Sequence, residues 1–172
     1  MMDFEVKIAS VEDEAVLCDI FIDHITANNE YISHGEIQMG VGVGEMKDGV
    51  LVARPSSRAR QVWMKYIHAN ITSPEEACVF KAVSNEGEII GFCVVDIQND
   101  GAEPFGMLCD ILVKGDIRSK GVGSVLLQTG LTWFKEKGIK DIYLESGLNN
   151  HAAHEYFMRR GFVKVSEIYK LM

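Results

Sequence analysis

Positive charge is scarce in this sequence: 17 Lys and Arg stand against 25 Asp and Glu, a formal net charge of -8. That balance argues against nucleic acid or an anionic membrane surface as the main partner, and leaves cationic small molecules as acceptable company. Cysteine is equally sparse. Cys18, Cys78, Cys93 and Cys109 lie far apart with no C-x-x-C pair, so the reading is buried reduced thiols, with neither a metal site nor a disulfide framework. No apolar run approaches the roughly 20 residues of a membrane-spanning helix. The start, M-M-D-F-E-V-K, lacks the basic residues and apolar core of a secretory signal, which predicts a cytoplasmic protein. Repeats and low-complexity segments are missing too.

What is present is 172 residues with 47% hydrophobic content, enough for one sizeable core and too little for two ordinary domains. Residues 1–172 therefore read as a single domain. Phe4 to Ile8 alternates as a strand, and Ser10 ahead of Glu12, Asp13 and Glu14 signals a helix start. Leu17, Ile20, Phe21 and His24 share one face of that helix. Ser33 to Ala53 carries glycines at 35, 40, 42, 44 and 49 without a sustained period and reads as a long loop, in which the Gly40 to Gly44 run resembles a phosphate loop without its strand-turn-helix context, or equally a short Gly-rich strand pair. Pro55 and the serines after it start a second helix with an apolar stripe of Val62, Trp63, Tyr66 and Ile67, and with Arg54, Arg58, Arg60 and Lys65 on a solvated face. Ala77 to Val83 and Glu88 to Ile97 form a hairpin through Asn85-Glu86-Gly87. A loop over Asn99 to Gly106 leads to a strand at Cys109 to Val113. Asp141 to Ser146 predicts a fifth strand, Asn150 to Arg160 a helix, and Phe162 to Leu171 a closing strand.

The most informative stretch is D-I-L-V-K-G-D-I-R-S-K-G-V-G-S over residues 110–124, which reads as strand, basic glycine turn, then a helix to Lys137. A helix N-terminus presents unpaired amides and partial positive charge, suited to a phosphate. Gly121 and Gly123 leave room for the ligand, and Arg118 and Lys120 add charge at the mouth. The Walker A pattern fails because Lys120 precedes its glycine. A dinucleotide fingerprint is weakened because Leu126 stands where the third glycine belongs, although Glu145 lies near the ribose-binding distance. A glycine turn that merely caps a helix is the plainest alternative.

The remaining pattern, Arg118-x-x-Gly121-x-Gly123, resembles the acyl-CoA signature of the GNAT superfamily of N-acetyltransferases. Downstream, Asn150-x-x-Ala153-x-x-Tyr156-Phe157-x-x-x-Gly161-Phe162 resembles that family's second signature, in the right order. The opening I-A-S-V-E-D is similar as well. The resemblance implies an α/β (α+β) fold: a mixed, mostly antiparallel sheet flanked by helices on both faces and splayed between its fourth and fifth strands. It implies acetyl-CoA as cosubstrate in that opening. The backbone of Ile111, Leu112 and Val113 would pair with the pantetheine arm. The turn of Arg118, Ser119, Lys120, Gly121, Val122, Gly123 and Ser124 would hold the pyrophosphate, and Asn150, Asn149 and Phe157 would flank the arm. The 33–53 segment falls on the acceptor side.

Amide formation from a thioester needs a neutral amine, an oxyanion donor and a proton for the leaving thiolate. A backbone amide near Leu112 or Val113 suits the oxyanion. Asp110, a carboxylate on an interior strand, and Glu145, at the end of the next strand, are the candidate bases. The family's usual tyrosine position holds Phe157. Tyr156 is adjacent but rotated by about 100° on a helix, and His154 lies three residues before Phe157. The expected reaction is acetyl transfer to a primary amine, small molecule or protein, in a ternary complex. A non-catalytic acyl-CoA-binding domain is the competing reading, and a nucleotide-binding domain the third. The short C-terminal strand leaves an edge open for a homodimer.

Overall fold

A computed structural model describes residues 3–99, 101–117 and 120–171. Strand β1 (Phe4–Ile8) is followed by Ser10, whose amide and hydroxyl donate to the Asp13 carboxylate at 2.8 and 3.2 Å. One 3-10 turn intervenes, so α1 (Glu14–Ala27) starts four residues beyond the cap signal. Its Leu17, Ile20, Phe21 and His24 are buried, as their spacing predicts.

The glycine-rich stretch is the larger departure. It holds a short helix, α2 (His34–Met39), and an antiparallel hairpin of β2 (Gly42–Lys47) and β3 (Val50–Pro55) that forms its own two-stranded sheet. The long-loop expectation gives way to this hairpin, and the Gly40 to Gly44 run caps α2 and opens β2 in place of a phosphate loop. Helix α3 (Ala59–Ile71) then returns the chain to the main sheet, starting later than expected because Pro55 closes β3 opposite Gly42.

That sheet has the order β1-β4-β5-β6-β7, from β4 (Ala77–Ser84), β5 (Ile89–Gln98), β6 (Phe105–Val113) and β7 (Ile142–Leu144). All neighbours are antiparallel except β6 and β7. Helix α4 (Val122–Glu136) makes the crossover between those two, and α5 (His151–Met158) follows β7. One apolar cluster joins α1 and α3 to the sheet through Phe21, Trp63, Ile67, Phe92 and Val94. A second joins α4 and α5 to the opposite face through Leu126, Phe134, Cys93, Val95 and Phe157. Each such fully buried large side chain contributes about 1.5–3 kcal/mol relative to exposure.

Two features position the site. Val94 of β5 pairs with Asp110 whereas Val95 pairs with Leu108, which leaves Cys109 as an extra residue in β6. Side chains alternate along a strand, so one extra residue exchanges the faces beyond it. Leu108 therefore joins the α4 cluster, while Leu112, four positions on, joins the α1–α3 cluster and Asp110 meets α3. The second feature is the parting of β6 from β7, which pair only from Gly106↔Ile142 to Leu108↔Leu144. Beyond Leu108 the β7-facing edge of β6 has no strand partner among the described residues.

Phe162 to Leu171 corrects the expectation of a closing strand. No strand forms there, and Val163, Val165, Ile168, Tyr169 and Leu171 are exposed. The alternation of V-K-V suits a strand, but a strand needs an edge to bond. This segment instead makes local contacts, among them Lys164 with Glu167, and anchors by Phe162 against Phe157, ring centroids 5.6 Å apart.

Candidate functional site

On one side of the parting lies the glycine turn. After β6, Lys114 donates to the Ile90 carbonyl at 3.0 Å and a 3-10 turn ends at buried Ile117. Arg118 and Ser119 lie outside the described residues. Lys120 is exposed, and Gly121 is the N-cap of α4 with φ +88°, a left-handed conformation that strains any residue with a Cβ. Val122, 1% exposed, pins the first turn to the core. A Cβ on Gly121 would meet nothing within 4 Å among the described residues.

Helix α5 closes on this turn from the other side. The Arg160 guanidinium lies 3.6 Å over the Tyr156 ring and donates to Ser124 Oγ at 2.7 Å. It thus brings a further positive charge to the mouth of α4. The Tyr156 hydroxyl is buried without a hydrogen-bond partner among the described residues, 3.6 Å from where a Cβ on Gly123 would stand. Phe157 is buried in the α4-side cluster. Asn150 caps α5 by accepting from the Ala153 amide at 3.2 Å.

The other side of the parting is carboxylate-rich. Asp110, half-buried, accepts a hydrogen bond from the Tyr66 hydroxyl at 2.7 Å. Burial pushes its carboxyl up to about 7, repulsion from Glu36 adds to this, and the Tyr66 hydrogen bond opposes both. Burial likewise raises Glu36, opposed by its bonds to Ser33 and reinforced by Glu145. Glu36 forms a capping box with Ser33 at the start of α2. Glu145 Oε1 accepts from the Gly35 amide at 2.7 Å. Burial first, and then Asp110, push the Cys109 thiol up to about 12, and Cys93 rises for the same two causes, so both stay protonated and neither is a nucleophile.

The hairpin and its flanking turns roof this region. Gly147 packs so tightly that a Cβ there would overlap the Glu30 carbonyl oxygen. Asn149 Nδ2 donates to the Leu51 carbonyl at 2.9 Å, and His154 Nε2 lies 3.0 Å from the Gly147 carbonyl. A cavity of about 110 Å³ remains between roof and loop, lined by Glu30, Ile32, Leu51, Ala53, Leu148 and Asn149.

Among the expected residues, Ile111, Leu112 and Val113 line the unpaired length of β6, the glycines and Ser124 form the turn, and Asp110 and Glu145 share the carboxylate side. Asn149 and His154 are engaged in holding the roof and the β7–α5 loop. Three residues were not anticipated: Tyr66, Glu36 and Arg160. A tyrosine within an apolar stripe is a signal for the first, since a buried hydroxyl requires a partner. The S-x-x-E spacing of Ser33 and Glu36 is one for the second. Among the described residues no group of three His, Cys, Asp or Glu could hold a metal, and no helix is long and apolar enough to cross a membrane.

Comparison with known proteins agrees with this geometry. The sequence model described as "Acetyltransferase (GNAT) family" matches residues 50–162. The chain is 25% identical over 111 residues to N-alpha-acetyltransferase 30 of Schizosaccharomyces pombe, covering 63% of this chain and 72% of that protein. It is 29% identical over 98 residues to aminoglycoside N(6')-acetyltransferase type 1 of Stenotrophomonas maltophilia, covering 54% and 64%. The latter match thus spans less than two thirds of its counterpart. An aminoglycoside 6'-N-acetyltransferase from Acinetobacter baumannii shares the fold, with a TM-score of 0.65 at 14% identity over 99% of this chain and 97% of that one.

Proposed function

The chain belongs to the acetyltransferase (GNAT) family, and on that premise we propose that it transfers an acetyl group from acetyl-CoA to a primary amine by direct attack in a ternary complex. The observation that carries this reading is Asp110. It is a carboxylate held near neutral ionisation where β6 leaves β7, one strand's length from the glycine turn. A base that titrates near the working pH is the most useful proton acceptor. The amine nitrogen attacks the thioester carbonyl, a C–N bond forms, and the amine proton passes to Asp110. The oxyanion is met by a backbone amide of Leu112 or Val113. The C–S bond then breaks, and the thiolate takes a proton from Tyr156, the hydroxyl on the donor side, which regains one from solvent as Asp110 gives its proton up. The pyrophosphate rests on the turn from Lys120 to Ser124, with Arg160 beside it.

The acceptor is an amine with further positive charge. Glu36, Asp110 and Glu145 converge from α2, β6 and the end of β7, and none forms an ion pair with a described residue. The relatives named for N-alpha and aminoglycoside N(6') transfer accord with an amine acceptor.

The test is a thermal-shift titration with CoA, acetyl-CoA, NAD and ATP, followed by a panel of peptides, polyamines and aminoglycosides monitored for free thiol. A ligand at a hundred times its Kd stabilises the native state by about 2.7 kcal/mol. Acetyl-CoA should raise the melting temperature and at least one cationic amine should release thiol. Stabilisation by NAD or ATP with indifference to acetyl-CoA would overturn the reading.

A further inference from the structure

A carboxylate serving as base must offer one oxygen to the amine and be charged when the amine arrives. Neither is settled by Asp110 alone. Its Oδ2 is occupied by the Tyr66 hydroxyl at 2.7 Å, a bond that joins α3 to β6 across 44 residues of sequence. Tyr66 is itself firmly held. Its ring packs 5.9 Å from that of Trp63, which stacks on Phe21 at 4.5 Å and leans on Phe92 at 5.6 Å. Its carbonyl accepts from the buried Asn70 side chain at 2.9 Å, fixing the last turns of α3. The hydroxyl is therefore a fixed donor in a packed aromatic stack, and the extra residue Cys109 turns Asp110 towards it.

We propose that Tyr66 is the positioning residue for Asp110: it holds Oδ2, and so presents Oδ1 to the acceptor amine. The role rests on the acetyl-transfer reading above. The amine proton moves to Oδ1 as the C–N bond forms and is later lost to solvent. Tyr66 supplies no proton, since burial and the neighbouring Asp110 raise its hydroxyl well above the ordinary tyrosine range. The groups facing Asp110 are Tyr66 from α3, Glu36 from α2, Cys93 from β5 and Cys109 from β6 itself. The thiols stay neutral, so Tyr66 and Glu36 act on Asp110 in opposite directions. Tyr66 favours its charged form and Glu36 opposes it.

This opposition makes the role testable apart from folding. The Asp110 carboxyl is followed by ¹³C NMR titration in the whole protein, assigned by its absence from Asp110→Asn, and kcat/KM is followed across the same pH range with acetyl-CoA and the best amine of the panel. Tyr66→Phe should move both the titration and the acidic limb of the rate upward by about one pH unit, since a hydrogen bond to a charged group is lost. Glu36→Gln should move both downward. A purely structural role for Tyr66 lowers activity equally at every pH and leaves the titration in place, which would overturn the proposal. If the titration moves as expected but Asp110→Asn keeps wild-type turnover, the base assignment itself is wrong and the positioning role falls with it. If no amine of the panel turns over, an unmoved titration in Tyr66→Phe still refutes the coupling.

Discussion

The two sides of the β6–β7 parting are built from different materials. The turn side is mainly backbone: a left-handed glycine, a helix N-terminus and a strand edge without a partner among the described residues, all within residues 109–124, with Arg160 and Tyr156 as its side-chain additions. The carboxylate side consists of side chains brought together from a distance. Asp110 meets Tyr66 across 44 positions, and Glu145 meets Gly35 across 110. Backbone recognition suits a ligand that is always the same, since it depends on chain geometry more than on residue identity. A site made of side chains from separate elements can vary one residue at a time. The difference suggests a constant donor and an acceptor specificity vested in α2, the hairpin and α3.

The sharpest way to break this division is Asp110→Asn. It should lower kcat by about 10²–10⁴-fold at pH 8 while leaving acetyl-CoA affinity within about twofold, measured by thiol release and calorimetry. Stability supplies a second reading of the same variant. A raised carboxyl gives stability that is present below its unfolded value of 3.8 and lost as pH rises towards about 7. The variant without ligand should therefore melt above the parent at pH 8, and the gap should close by pH 4. A parent that is the more stable of the two at pH 8 would contradict the assigned ionisation.

Gly121→Glu attacks the other side. The φ of +88° imposes strain of about 1–2 kcal/mol on a side chain, and the new carboxylate repels phosphate. Acetyl-CoA binding should weaken roughly tenfold or more, while the Asp110 titration stays unchanged. A shift in that titration would show that the two sides are coupled. Arg160→Ala should have the smallest effect. It removes the guanidinium from Ser124 and the Tyr156 ring, and acetyl-CoA affinity should fall about threefold to tenfold, with a shallower salt dependence.

This division also explains what was legible in the sequence. Glycine spacing, the helix after it and the second signature are local patterns, so the turn, α4 and α5 follow from residues close together. Gly42 to Pro55 was ambiguous because its strands are stabilised by each other and by the residues they roof. Tyr66 is one member of an apolar stripe in the sequence, and its hydroxyl gains meaning only when β6 lies beside α3. In sequence Arg160 is only the last residue of a predicted helix, and its bond to Ser124 exists because that helix packs against the first turn of α4. The closing segment failed for the opposite reason: its local pattern suits a strand, and no edge receives it.

Cys109 has one more consequence. Along a β-strand, odd and even positions are read on opposite faces, much as codons are read in a frame, and a single inserted residue shifts that frame for everything after it. Pairing Cys109 regularly with Val94, in place of the bulge, would turn Asp110 into the α4 core, bring Ile111 round to α3 and exchange the register of the edge beside the parting. The overall shape of the sheet would change little. Its chemistry would be spelled in the wrong frame.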